Sequence, residues 1–222
     1  DGGYTVEELA AHAVERGLDV LAVTDHNTVS HHPFLAAAGD HADVLLLPGQ
    51  EVTTDEGHAN CFGDVGWIDF RRPADEWRAH ADRHGGLFSV NHPWEGDCAW
   101  RKPLAEPAPF VEMWHTTWDR LDPEPLDDRG EFGVTPIGGS DFHRAGGNPT
   151  TWIEAEERSV VAILAAMSEG RIAISAAPDF PVLLRRDGEL VAVDADDCRQ
   201  VVDERGARLV TSTDGRTVAF TR

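Results

Sequence analysis

Apolar and polar side chains recur along the chain at two spacings, and the order of these spacings predicts an α/β protein. Residues 6–14 place apolar side chains three and four positions apart, and Thr5 with Glu8 matches a capping box at a helix start. Short apolar runs rich in β-branched residues follow at 18–24 and 44–47 and predict buried strands. Because a helix leads directly into the first of these strands, we expect a further strand upstream of this sequence.

The same alternation continues through most of the chain. It predicts further helices at 33–40, 73–85 and 159–168, and further strands at 58–62, 87–90, 110–114, 134–137 and 172–176. Residues 122–128 are too rich in proline and acid for more than one helical turn. From Pro181 on, short alternating runs separated by DG and RG turns predict antiparallel strands. We therefore predict a division into residues 1–177 and a small β appendage at 178–222.

The composition argues against several classes of partner. The chain has 222 residues, with 19 lysine and arginine against 40 aspartate and glutamate residues, which gives a formal net charge of −21. This charge would repel nucleic acid or an anionic membrane, although it allows a small phosphate ester held by bound cations. No apolar segment approaches the length of a membrane span. The three cysteines have no paired spacing, so a reduced, cytoplasmic environment is predicted.

Histidine and carboxylate residues follow the predicted strands instead of preceding them. They are Asp25 with His26, Glu51, His92, His115, and Asp141 with His143. In a parallel α/β barrel the carboxyl ends of the strands share one face, so we expect these side chains to form one composite site. Imidazole nitrogen and carboxylate oxygen are common ligands of divalent metals. His58, seven residues after Glu51, extends the set, although a loop glutamate and a core histidine would also explain this pair.

At these positions the chain resembles the PHP (polymerase and histidinol phosphatase) superfamily, most closely its CehA/McbA-like metallohydrolase branch. The resemblance spans residues 1–176 and rests on ordered motifs: TDHN at 24–27, PGQEVTT at 48–54, GHANCFG at 57–63, NHP at 91–93, VEMW at 111–114 and GGSDFH at 138–143. It implies a distorted (β/α)7 barrel that binds two or three divalent metals, zinc, manganese or iron. Such proteins open with an HxH motif, which this sequence lacks, and we interpret the difference as truncation.

The resemblance also implies which residues hold the ions. In chain order, the implied ligands are Asp1, His26, Glu51, His58, His92, Asp141 and His143. Glu51 resembles the carboxylate that bridges two metals, and His58 with His92 resembles the ligands that complete one of these sites. Asp141 resembles a ligand of the other, and the remaining three residues resemble the triad of a third metal. Asp25 is expected to orient a ligand instead of binding metal itself.

Further candidates have two interpretations each. His115 could contact substrate or supply a proton, which would place it with Glu51, His92 and Asp141 as a catalytic residue, or it could be a packed strand-end histidine. Arg144 could bind an anion or lie on the surface. Trp94 and Arg101, with Trp100 and Lys102, could wall a substrate pocket or form the small core of their loop. The remaining histidines are predicted to lie on the surface, namely His12, His31, His32, His41, His80 and His84.

Together these features predict a metal-dependent hydrolase, most simply a phosphoesterase that uses a metal-bridging hydroxide on a small phosphate ester. Hydrolysis of a carboxylic or carbamic ester is the alternative reaction, because the CehA/McbA-like resemblance favours it. A degenerate metal-binding or regulatory module is the alternative without catalysis. The expected partner is a small ester or phosphoester molecule, with neither nucleic acid nor membrane involved.

Overall fold

The computed structural model describes residues 2–94, 96–116, 135–144, 148–203 and 206–222, so the prediction for 122–128 lies outside the described residues. The helices within this part are α1 (Val6–Glu15), α2 (His32–Ala42), α3 (Ala74–Arg83) and α4 (Val160–Ser168). The helices match the predicted positions, and α2 is longer than expected. None of them has the length and apolar character needed to cross a membrane.

Six strands form the main sheet. They are β1 (Val20–Val23), β2 (Leu45–Thr54), β3 (Gly57–Phe62), β4 (Leu87–Val90), β5 (Phe110–His115) and β6 (Thr135–Gly139), paired in chain order. β1 and β2 pair in parallel, and so do β4, β5 and β6. β3 is antiparallel to both of its neighbours. Five of the six strands therefore point in one direction, and their carboxyl ends meet at one edge of the sheet.

β2 is longer than predicted and changes its partner halfway. Its first half pairs with β1 as far as Pro48, and its second half pairs with β3 from Gly49 onward. Any side chain at Gly49 would lie 2.8 Å from Thr24 Cγ2 and 3.0 Å from the carbonyl oxygen of Cys61, so the two ladders meet where only glycine fits. The prediction that the strand ends before Pro48 is wrong, because the proline sits where the ladder switches partners. Glu51 consequently lies inside β2.

The remaining strands form two antiparallel sheets. They are β7 (Thr150–Ile153), β8 (Ile172–Ser175), β9 (Val182–Arg186), β10 (Glu189–Val193), β11 (Cys198–Asp203), β12 (Gly206–Thr211) and β13 (Thr217–Thr221). β9 pairs with β10 alone, and the other five form a sheet in the order β11-β12-β13-β8-β7. The antiparallel strands predicted after Pro181 are present, whereas β7 and β11 were not predicted. Because β13 pairs with β8, one sheet contains strands from both sides of the predicted division at residue 177. The division into two parts stays a prediction.

The main sheet is packed on both faces. Trp77 of α3 and Phe88 of β4 lie in the largest cluster of buried apolar side chains, which also includes Val52. α4 packs Ile163 and other apolar side chains against Leu47, so this helix covers a different part of the sheet. A third cluster joins α1 and α2 to the first two strands. The four helices thus pack against the main sheet in three separate apolar clusters.

The main sheet is curled, and the described residues show only part of the predicted barrel. Residues of β1 and of β6 line the same cavity, so the two outer strands face each other across it. Within the described residues no strand pairs with the free edge of either one. What the structure shows is therefore a mixed α/β fold with a curled half-barrel sheet and separate antiparallel sheets, and not a closed (β/α)7 barrel.

Candidate metal centre

The predicted site residues meet at the carboxyl edge of the main sheet. His26 follows β1, His92 follows β4, and Asp141 follows β6. His58 reaches the same edge from the opposite direction, because it lies near the start of the antiparallel strand β3. Glu51 joins them from the second half of β2. The direction of the strands thus brings together residues that are far apart in the sequence.

Glu51 is buried at the centre of this cluster. Its Oε1 atom lies 3.0 Å from Nδ1 of His58 and accepts a hydrogen bond from Nδ2 of Asn91 at 3.2 Å. Oε2 lies 3.2 Å from Nδ1 of His26, and Oε1 lies 3.5 Å from Nε2 of His92. A single carboxylate is therefore surrounded by three imidazoles and one amide.

This donor set fits a divalent cation. One ligand atom each from His26, Glu51 and His58 lies within 4.8 Å of the others. In addition, Nε2 of His92 lies 3.5 Å from Oε1 of the same carboxylate, which brings a third imidazole to this group. Two or more imidazoles with one carboxylate suit zinc, manganese or iron.

The charges inside the cluster stabilise one another. Burial alone would raise the pKa of the Glu51 carboxyl, but hydrogen bonds with His58 and His92 hold that pKa well below its ordinary value. Burial alone would lower the pKa of His92, whereas the hydrogen bond with Glu51 and the nearby charge of Glu112 raise it to about 9.

Asp141 and two histidines form the other side of the site. Its carboxylate oxygens lie 3.6 Å from Nε2 of His115 and 3.6 Å from Nδ1 of His143. The nearby imidazole of His115 lowers the pKa of Asp141, and its effect outweighs the burial that opposes this shift. Nε2 of His143 lies 3.4 Å from Nε2 of His26, so His143 links Asp141 to the imidazoles around Glu51.

The loop that carries Asp141 and His143 is held against α1. Its central residue, Phe142, stacks on His12 with ring centroids 4.3 Å apart and contacts Tyr4 at 5.4 Å. The backbone N–H of Gly3 donates to the carbonyl oxygen of His143 at 2.9 Å. The aromatic contacts therefore fix the loop between two residues of the candidate site.

Glu112 is a buried carboxylate of the site for which the sequence analysis predicted no role. It lies in the middle of β5, lines the cavity and accepts a hydrogen bond from the backbone N–H of His92 at 2.6 Å. Burial raises the pKa of Glu112 to about 7, although His115 and His92 act in the opposite direction. The signal in the sequence was an acidic residue inside the otherwise apolar run FVEMW.

The predicted substrate residues lie outside the imidazole cluster, and their roles stay predictions. Arg101 donates from its guanidinium to the carbonyl oxygen of Asp55, at the turn between β2 and β3. Trp94 is half-buried and packs against the largest core cluster. The side chain of Arg144 borders Gly3, since a Cβ atom there would lie 3.0 Å from Arg144 Cγ. Asp1 lies outside the described residues.

A cavity of about 380 Å³ opens at the cluster. Its polar part is formed by side chains of the site, among them Glu51, His92 and Asp141. Its apolar part runs between β1 and β6 and includes Leu47 and Ile137. A ligand in this cavity would therefore meet charged groups at one end and hydrocarbon at the other.

His31 is buried, so the prediction of a surface residue is wrong. Its Nε2 atom donates to the carbonyl oxygen of Val23 at 3.1 Å, and Nδ1 lies 2.9 Å from the carboxylate of Asp25. Burial alone would lower the pKa of His31, but the hydrogen bond with Asp25 raises it, and the same bond lowers the pKa of Asp25. Asp25 thus fixes His31 beneath the site. His32 and His80 are also partly buried, whereas His41 and His84 are exposed.

Asp25→Asn should reduce the free energy of unfolding most at mildly acidic pH. His31 contributes to the free energy of unfolding below its ordinary pKa of 6.5, and this contribution is lost as the pH rises through its higher pKa in the folded protein. Asp25 contributes to the free energy of unfolding above its ordinary pKa of 3.8, and this contribution is lost as the pH falls through its lower pKa in the folded protein. Urea unfolding with chelator should therefore show a larger difference from the parental protein at about pH 5 than at about pH 9.

Asp64→Asn is the matched control, because Asp64 pairs with the neighbouring His32 but is 76% exposed. An ion pair in contact with water contributes little, so this variant should differ little from the parental protein at either pH. An Asp25→Asn difference that was the same at both pH values would contradict the assignment of the pair.

The comparisons with known proteins concern the fold. No family model and no curated protein matches the chain. Among solved structures, the chain is similar to a two-domain protein from Bacteroides vulgatus that contains a predicted PHP-like metal-dependent phosphoesterase; the TM-score is 0.64 and the identity 15%, over 100% of this chain and 82% of that one. A protein from Bifidobacterium adolescentis proposed to be a metal-dependent phosphoesterase matches at 16% identity and a TM-score of 0.48, over 64% and 84%. The first match shows that the chain shares its fold with that two-domain protein.

Proposed function

We propose that this chain is a metal-dependent hydrolase that acts on a small phosphate ester. The observation that carries the proposal is the buried Glu51 carboxylate surrounded by His26, His58 and His92 at the mouth of a cavity. Structural carboxylates seldom collect three imidazoles in this way, because histidine and carboxylate side chains converge mainly where they hold a metal or act in catalysis.

The residues of the site would have different roles in this reaction. Glu51 with His26, His58 and His92 would hold the cations, and Asp141 with His143 would complete the set on the other side. When bound, such cations lower the pKa of a water molecule and polarise the ester. His115 is buried beside Asp141 and could move a proton at Nε2.

A phosphate ester is favoured as the substrate for two reasons. The formal net charge of −21 would repel an anion from most of the surface, so binding would depend on cations held in the cavity. Several cations in one site suit the charged oxygens of a phosphoryl group. The shared fold with a protein described as containing a predicted metal-dependent phosphoesterase supports the same choice.

Hydrolysis of a carboxylic or carbamic ester is the second candidate. The apolar half of the cavity, with Leu47 and Ile137, favours a substrate that has a hydrocarbon group beside the reacting bond. The VEMW motif, which resembles the CehA/McbA-like branch, supports this candidate too. The same ligand set would polarise a carbonyl oxygen as well as a phosphoryl oxygen.

For the fold, we propose that a further parallel strand closes the barrel between β1 and β6. The support is the apolar groove that these strands flank, with Val20 and Ala22 on one side and Ile137 on the other. Such a strand would pair with both free edges and cover the groove. An experimental structure of the metal-loaded protein with β1 hydrogen-bonded directly to β6 would contradict the proposal.

A panel of aryl esters tests the proposed reaction. The protein would be loaded with Zn²⁺, Mn²⁺ or Fe²⁺ and assayed with p-nitrophenyl phosphate, bis(p-nitrophenyl) phosphate, p-nitrophenyl acetate and an aryl carbamate. We expect hydrolysis of a phosphate ester that chelator abolishes and added metal restores. Cleavage of only the acetate or carbamate would favour the second candidate. Metal binding without cleavage of any ester would leave the metal-binding module as the function.

A further inference from the structure

The buried carboxylate of Glu112 has no assigned part in the proposed reaction. All six residues of β5 are buried, and Glu112 is 4% exposed. Its neighbours Val111 and Met113 pack into the largest apolar cluster, whereas Glu112 lines the cavity. A buried carboxylate is expensive unless it is hydrogen-bonded, so its contacts indicate what it does.

Its principal contact is with the backbone of His92. The N–H of His92 donates to Glu112 Oε2 at 2.6 Å, which is a short hydrogen bond. His92 has a φ of 23°, a conformation that residues with side chains rarely adopt. This conformation turns the chain directly after β4 and leaves the imidazole 3.5 Å from Glu51. The Glu112 carboxylate thus stabilises the backbone conformation that directs His92 into the site.

Gly139 on the neighbouring strand β6 leaves the space for this carboxylate. A Cβ atom at Gly139 would lie 1.3 Å from Glu112 Oε1 and 2.5 Å from Glu112 Cδ. Gly139 does not have a positive φ, so its backbone conformation does not require glycine. The three heavy atoms nearest to the missing Cβ all belong to Glu112. The need for glycine at this position therefore comes from the carboxylate.

We infer that Glu112 is a positioning residue for His92 and that Gly139 is its steric partner. The inference rests on the proposed function in one respect, because it takes the ligand of His92 to be a metal ion. Glu112 acts through the backbone of His92 and does not itself bind the cation. The loss of such a supporting contact typically weakens metal binding by about 10–100-fold.

Substitutions at both positions test the inference, with Zn²⁺ alone as the probe. Glu112→Ala should weaken Zn²⁺ binding by about 10–100-fold in a chelator competition. Glu112→Gln should retain most of the affinity, because its amide oxygen can still accept the His92 N–H. Gly139→Ala should also weaken binding, but it should add little in the Glu112→Ala background, since alanine at 112 frees the space. Val111→Ala, on the other face of β5, controls for general destabilisation and should leave the affinity unchanged.

Amide hydrogen exchange of His92, measured by NMR in the metal-free protein, gives a readout that does not depend on metal. Exchange should be slow in the parental protein and in Glu112→Gln, and much faster in Glu112→Ala. Equal exchange in all three would overturn the positioning role even if Zn²⁺ binds. Conversely, a parental protein that binds none of Zn²⁺, Mn²⁺ and Fe²⁺ but shows the expected exchange would refute the proposed function alone.

Two further results would overturn the inference. Glu112→Gln could be as weak as Glu112→Ala, which would mean that the carboxylate charge acts directly on the ion. Val111→Ala could lose the same affinity, which would mean that any damage to β5 disturbs the site. Either result would show that the hydrogen bond between Glu112 and His92 is not what positions His92.

Discussion

Glu51→Gln should lower kcat of the metal-loaded protein about 100-fold or more. Even residues that only orient a metal ligand cost about 10–100-fold when they are changed, so loss of the central ligand should reach the upper end of this range or exceed it. Glutamine keeps the size of the side chain but removes the charge that faces the imidazoles of His26, His58 and His92. Its amide group would also place a donor where Nδ2 of Asn91 now donates.

The loss should appear in kcat more than in KM, because a third cation, which Asp1, His26 and His143 are predicted to hold, would still bind the substrate. Steady-state kinetics on the best ester of the panel, together with metal content per chain, would measure both effects. Glu56→Gln is the matched control: it is the same substitution at the exposed turn of the β2–β3 hairpin, where Glu56 pairs with Lys102. If Glu51→Gln were as active as this control, Glu51 could not be the central ligand.

Trp77→Ala should lower the free energy of unfolding by about 3–5 kcal/mol. Trp77 is completely buried in the largest apolar cluster, where its ring packs beside Trp100 and beneath the ammonium group of Lys102. Its indole N–H donates to the carbonyl oxygen of Asp69 at 3.0 Å, so truncation leaves a cavity and removes a hydrogen bond. Urea unfolding followed by far-ultraviolet circular dichroism would measure the change.

Trp67→Ala is the control for this substitution. Trp67 has the same side chain but is 45% exposed, and it donates to the carbonyl oxygen of Asn27. Because folding buries much less of the Trp67 side chain, the loss of unfolding free energy for Trp67→Ala should be less than half of that for Trp77→Ala. Equal losses for the two variants would show that Trp77 does not organise the core as its burial indicates.

Local patterns in the sequence were sufficient to predict much of the fold. Thr5 and Glu8 form the predicted capping box, with the Thr5 N–H donating to Glu8 Oε2 and the Glu8 N–H donating to Thr5 Oγ1. Ser159 caps α4, as the predicted helix start requires. These features depend on residues within one helical turn, which is why the sequence alone reveals them. The convergence of His92 and Asp141 followed from one further rule, that parallel strands share their carboxyl edge.

The features that were not predicted depend on contacts between distant residues. Glu51 lies inside β2 because the ladder passes from β1 to β3 at Pro48, and no local signal shows where a strand exchanges partners. His31 is buried, with Nε2 donating to the carbonyl oxygen of Val23 and Nδ1 lying 2.9 Å from the carboxylate of Asp25, and no local pattern indicates these two contacts. β7 contains only four residues, Thr150–Ile153, and gains its place by pairing with β8. Tertiary pairing of this kind outweighs local propensity.

The pairing of β13 with β8 limits how the molecule could be recombined with other proteins. The edge of β8 that β13 covers belongs to a strand whose four residues are all buried, and Phe220 of β13 is itself fully enclosed. A fusion or domain exchange that cut the chain at residue 177 would uncover this edge, and open apolar edges invite pairing with other copies. Protein engineers who wish to transplant the metal centre would therefore have to carry β13 with it.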